Sequence, residues 1–155
     1  RAYVYGFSFD LEAVILKNLI LKSNITFTKG GSVNSINPLP SISPLFGSFY
    51  LKWANSNFKN QLSYRFSGYK NPQDYSYGGE DGLEETPLLG YNGKEPNYYG
   101  MPSWGIFKLS SSYQISNKLT ATLIFDNIFD IHYREFASGI SSPGRNLNIV
   151  LAHKL

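Results

Sequence analysis

Seven stretches of this chain alternate apolar and polar side chains with a period of two, and the connections between them are alternately very short and very long. Successive side chains leave an extended strand on opposite faces, so this period describes strands with one apolar and one polar side. In residues 106–115, Phe107, Leu109, Tyr113 and Ile115 stand against Lys108, Ser110, Ser112 and Gln114. In residues 58–68, Leu62, Tyr64 and Phe66 oppose Lys59, Gln61, Ser63, Arg65 and Ser67. Residues 3–16 set Tyr3, Tyr5, Phe7, Phe9, Leu11 and Ile15 against Gly6, Ser8, Asp10 and Glu12, and those two carboxylates would be costly in a dry core. The final stretch, 146–155, places Leu147, Ile149, Leu151 and Leu155 on one side and Asn146, Asn148 and Lys154 on the other.

The remaining strands are expected at 19–28, 45–54 and 119–129. Short joints at Lys17-Asn18, Asn55-Ser56-Asn57 and Ser116-Asn117-Lys118 suit tight hairpins. The long joints, 29–44, 69–105 and 130–145, are rich in Gly, Pro, Asn and Ser. A connection as long as the second is foreign to a compact soluble domain but ordinary in a bacterial membrane barrel, which keeps short turns on one side and long loops on the other. Most strands are near the length that crosses a bilayer when tilted, roughly 9–11 residues.

Composition agrees with this reading. Of 155 residues, 16 % are aromatic, as in β proteins with aromatic belts, and 16 % are charged. With no cysteine, the chain has neither disulfide nor thiolate chemistry. The net charge of +3 comes from scattered Lys and Arg without a basic run, which argues against nucleic-acid binding. Apolar runs fall far short of the roughly 20 residues a membrane helix needs, so a membrane-spanning form of this chain would cross as strands. No signal sequence precedes the first strand, and the chain is expected to be a mature form or the C-terminal piece of a longer polypeptide.

Several segments carry a family resemblance. Asn127-Ile128-Phe129-Asp130, followed by Tyr133, Pro143-Gly144-Arg145 and a closing amphipathic strand, resembles the C-terminal end of TonB-dependent outer-membrane receptors. The Pro-rich approach to a strand at 37–44 is similar to theirs, and Gly100-Met101-Pro102-Ser103-Trp104 resembles members of the Bacteroidetes type. Leu155 and His153 depart from the pattern, which favours an aromatic at the terminus and an apolar or aromatic residue at the position of His153. The resemblance covers essentially the whole chain. It implies an all-β fold, in which residues 1–155 form the C-terminal third of a 22-stranded antiparallel barrel whose plug and earlier strands lie elsewhere. It also implies uptake of a scarce metal complex, an iron-siderophore or haem, driven through TonB. The partners implied are the rest of the barrel and its plug, outer-membrane lipids and lipopolysaccharide, TonB through the missing N-terminal part, and a surface lipoprotein. The location implied is the bacterial outer membrane.

The residues themselves give candidates but no catalytic constellation, and neither an enzyme nor a bound cofactor is expected. Tyr75, Tyr77, Tyr91, Tyr98 and Tyr99 lie in the longest loop with Glu80, Asp81, Glu84 and Glu85, and tyrosine rings are good contact surface for planar ligands. The carboxylates lack the spacing of a calcium loop. His132 is a candidate axial ligand should the cargo be haem. Arg145 follows the Pro-Gly break at the rim, where a ligand contact competes with a structural pairing to a nearby carboxylate. Two other readings remain open from the residues alone, a self-contained small outer-membrane barrel and a soluble barrel that holds a small ligand.

Overall fold

The computed structural model describes residues 1–33 and 37–154; the expectation for terminal Leu155 lies outside these. Seven strands form one antiparallel sheet: β1 (Ala2–Leu16), β2 (Leu19–Ser32), β3 (Phe46–Asn55), β4 (Phe58–Ser67), β7 (Trp104–Ser116), β8 (Leu119–Asp126) and β9 (Asn146–His153). A separate hairpin, β5 (Leu88–Asn92) and β6 (Glu95–Tyr98), stands within the connection between β4 and β7. Two-residue turns close β1–β2, β3–β4 and β7–β8 at one edge of the sheet, and the three long connections gather at the other.

Register divides the sheet into two faces, since residues directly opposite each other in an antiparallel pair share a side. Leu21, Leu51, Leu62 and Leu109 are aligned across four strands on the apolar face. Towards the short turns, Trp53, Phe58 and Tyr113 follow, with ring centroids 6.1 and 6.0 Å apart. Towards the long loops lie Phe49, Tyr64, Phe66 and Phe107, stacked or tilted against one another. A leucine band therefore runs between two aromatic rows, and Phe58 and Tyr64 are about 20 Å apart along their strand. Asn60 and Ser111 also fall on this face, where the Ser111 hydroxyl donates to Asn60 Oδ1 (2.6 Å). Phe7, Phe9, Ile149 and Leu151 continue the apolar surface, each more than half exposed.

On the opposite face polar side chains bond across strands. Lys22 pairs with Glu12 (2.6 Å) and Lys108 with Asp126 (2.9 Å), while Ser48 donates to Asn24 (2.9 Å) and Ser8 shares a hydrogen bond with Thr26 (3.1 Å). The alternation anticipated in all seven strands holds, except where bulges beside the turns interrupt it near Ile15 and Ile115. Two boundaries differ from expectation by three residues or more, while the others, such as the start of β7 at Trp104 and the end of β9 at His153, shift by one or two. Strand β2 runs on to Ser32 because it continues to pair with β1, and β8 stops at Asp126 because Asn127 turns into the left-handed region (φ 47°).

Candidate functional site

The long connections fold over one another at their edge of the sheet, and Lys70 is at the centre. Its side chain is 3 % exposed, and its ammonium donates to the Ile42 carbonyl. It lies 4.3 Å from the Phe136 ring centroid, 5.0 Å from that of Tyr75 and 3.8 Å from Asp81 Oδ2. Asp81 is as deeply buried and accepts the Ser41 backbone N–H at Oδ1 (2.7 Å). One ion pair thus joins three segments that are distant in sequence: 41–42, 70–81 and the region of Phe136. Its gain in stability is modest, since desolvation of both charges offsets their attraction, but its geometry is specific. Burial pulls the Lys70 ammonium below its usual pKa, against the opposing pull of Asp81 and Asp74. Burial, reinforced by the Asp81 charge, pushes the Tyr75 hydroxyl up to about 12.

Beneath the pair, Met101, Trp104 and Ile106 form a buried apolar cluster with Tyr133 and Phe136 packed on it. Backbone hydrogen bonds in both directions between Lys70 and Met101 (3.1 Å each) hold the start of β7 there. Gly100 allows this approach: its φ is 85°, and a Cβ would collide with the Lys70 carbonyl. The Trp104 and Tyr133 rings meet in a tilted pair with centroids 4.4 Å apart, and the Arg65 guanidinium lies 5.8 Å from the indole centroid and is bound to Glu135 (2.8 Å).

A second knot closes the last loop. Asn127 is almost wholly buried; its Nδ2 donates to the Ile131 carbonyl (2.8 Å), and its Oδ1 accepts the Ile131 N–H (2.9 Å). Asp130 Oδ1 accepts the Arg145 N–H (2.7 Å), and the Arg145 guanidinium lies 3.7 Å from Oδ2. The Asn-Ile-Phe-Asp segment is thus a loop clasp.

The predicted site residues separate into two groups. Tyr75 and Arg145 are engaged in these knots, Tyr75 at 3 % exposure. Tyr77 and Tyr91 project into solvent at 77 % and 70 % exposure. Tyr98 lies half-buried on β6, and Tyr99 forms a ring pair with Tyr69 at 5.2 Å. His132 is exposed at a cleft of about 270 Å³ lined also by Met101, Trp104, Tyr133, Arg134 and Glu85. Arg134 is held there by Glu85 (3.1 Å). His153 pairs across to Leu119 at the opposite edge, so the two histidines are far apart. Among the described residues no group of three His, Asp or Glu side chains is arranged to hold a metal. Lys70, Trp104, Tyr133 and Asn127 were not among the predicted site residues. Nothing local in the sequence announces the Lys70–Asp81 pairing, whereas Asn127 stands in a segment singled out for another reason.

No family model and no curated protein matches the chain. Solved structures do. The copper transporter OprC superposes with a TM-score of 0.73 at 18 % identity, over 94 % of this chain and 22 % of that one. The ferric enterobactin receptor PfeA of Pseudomonas aeruginosa, in a mutant form, gives 0.70 at 20 % identity, over 98 % and 22 %. The ferripyoverdine receptor of the Pseudomonas aeruginosa outer membrane gives 0.61 at 18 % identity, over 94 % and 19 %. The chain spans about a fifth of the length of these structures. The shared fold is that of a stretch of barrel wall in TonB-dependent outer-membrane receptors.

Proposed function

We propose that this chain is part of the barrel of a TonB-dependent outer-membrane receptor that imports a metal chelate of the siderophore kind. The observation that carries the reading is the apolar face, a leucine band between two aromatic rows, set against a polar face whose side chains bond across strands. Bilayer-spanning barrel walls have this arrangement, with aromatic girdles at both interfaces and a polar interior. The short turns then lie on the periplasmic side and the loop cluster outside the cell. The solved relatives named above for copper, ferric enterobactin and ferripyoverdine support a metal-bearing cargo. A plug within the barrel and coupling to TonB belong to the same reading. The exposed rings of Tyr77 and Tyr91, together with His132 above the Trp104–Tyr133 cleft, are the proposed contacts, while Tyr75 and Arg145 hold the loops in place. Transport, rather than catalysis, is the activity proposed.

Two measurements on cells that carry the intact receptor test this. Tyr77→Cys is expected to react with a membrane-impermeant maleimide on whole cells, and Ser56→Cys only after the outer membrane is opened; the reverse pattern would sink the topology. Uptake of radioactive ferric chelates under iron limitation is expected to stop with a protonophore and to weaken in Tyr77→Ala/Tyr91→Ala. Uptake unaffected by both would overturn the transport reading.

A further inference from the structure

A polar pair interrupts the apolar face close to the short turns. Asn60 and Ser111 stand directly opposite each other, in a cross-strand row otherwise made of Leu19, Trp53, Leu123 and Ile149. Both side chains are short beside those neighbours, so the row is dented there. Trp53, Phe58 and Tyr113 form an aromatic arc around the turn side of the dent, and Leu62 and Leu109 border it on the other side. The Ser111 hydroxyl donates to Asn60 Oδ1 (2.6 Å), while Asn60 Nδ2 meets no acceptor among the described residues. An amide N–H turned towards hydrocarbon without an acceptor is costly, so a bilayer around this face must supply one. Asn60 lies two residues along β4 from Phe58, about 7 Å along the strand and about 5 Å in depth at a tilt of roughly 40°. With the aromatic girdle at the headgroups, that depth is the level of the glycerol esters.

We infer that the dent is a binding site for one anionic glycerophospholipid of the periplasmic leaflet, with an ester carbonyl accepting from Asn60 and the glycerol seated against the aromatic arc. The inference rests on the barrel reading, which turns this face to the bilayer and its short turns to the periplasm. Ester carbonyls are the acceptors that a leaflet offers at this depth, and they match the open amide. Charge selects the headgroup. Lys118 and Lys154 meet at the turn end of β7, where the Lys154 N–H donates to the Lys118 carbonyl (2.8 Å), and the three short turns contain no Asp or Glu. Two ammonium groups without a local counter-charge favour a lipid phosphate that carries net negative charge. Lipopolysaccharide is the wrong occupant, because it belongs to the leaflet at the opposite edge of the sheet.

The test uses the intact receptor, extracted in detergent and examined by native mass spectrometry. It is titrated with phosphatidylglycerol and with the ether-linked analogue, which has the same headgroup and chains but no ester carbonyl. The tightest-held lipid is expected to be phosphatidylglycerol, bound severalfold more strongly than the ether analogue. Asn60→Leu should remove that difference while leaving the heat-modifiable barrel band in place; if the variant fails to assemble, the wild-type comparison of ester and ether lipids decides. Lys118→Gln/Lys154→Gln is expected to weaken both lipids by the same factor. Equal retention of ester and ether lipids by the wild type, equal retention of phosphatidylcholine and phosphatidylglycerol, or an ester preference that survives Asn60→Leu would each overturn the proposal. The whole-cell cysteine labelling judges the barrel reading separately, so the two failures are distinguishable.

Discussion

Asn127 shows how much a single side chain can carry here. It turns the chain at a positive φ and meets both the N–H and the carbonyl of Ile131, so one side chain closes the turn on both backbone groups. Asn127→Gly keeps the backbone conformation and loses those bonds, and is expected to cost about 1–3 kcal/mol. Asn127→Ala should cost about 1 kcal/mol more because Ala resists the left-handed region. Urea midpoints of the refolded receptor, followed by tryptophan emission, check the order. For the buried ion pair, Lys70→Met leaves Asp81 uncompensated and should cost about 3–5 kcal/mol, whereas Lys70→Met/Asp81→Leu recovers most of the loss. Limited proteolysis of residues 68–103 reads both variants. Alkaline pH supplies a further check through Tyr75. Its folded-state pKa of about 12 lies above the ordinary 10.0, so the folded form retains a proton that the unfolded form loses, and loop stability should fall between pH 10 and 12. Tyr75→Phe is expected to flatten that fall. Lys70 acts in the opposite sense: with its folded pKa lowered, stability rises as pH climbs through that value towards 10.5.

Among the elements, the two faces of each strand respond differently to the same substitution. Ile149→Lys places a charge in the apolar band and should cost about 2–4 kcal/mol, whereas Asn148→Lys, one residue away, faces the polar side and should be tolerated. The yield of assembled, heat-modifiable receptor in outer membranes measures the difference. That division was legible in the sequence, because Phe107, Leu109 and Tyr113 against Lys108, Ser110 and Ser112 can be read without knowing any contact. The hairpin β5–β6 also carries a local signal in the sequence. Its two-residue turn is Gly93-Lys94, between the paired Asn92 and Glu95, and a glycine at the first turn position, here at φ 65°, is what one class of such turns requires. The loop cluster was not legible, since Lys70, Asp81 and Phe136 meet only after three connections have folded, and no periodicity records a meeting of that kind. Tyr75 illustrates the consequence: its residue type suggested a contact surface, and its burial makes it a support.

For the whole molecule, the sheet order β1-β2-β3-β4-β7-β8-β9 is also the order along the chain, with only the β5–β6 hairpin standing aside. Every strand is therefore laid beside the one that immediately precedes or follows it in the sheet. Loop-closure entropy is then paid in small instalments, each repaid by a ladder of hydrogen bonds before the next falls due. A wall of this topology can grow by accretion from either edge, one hairpin templating the next, with the longest closure being the step from β4 to β7. Lys70 bonds to Met101 across that step, at the point where the returning chain must be caught.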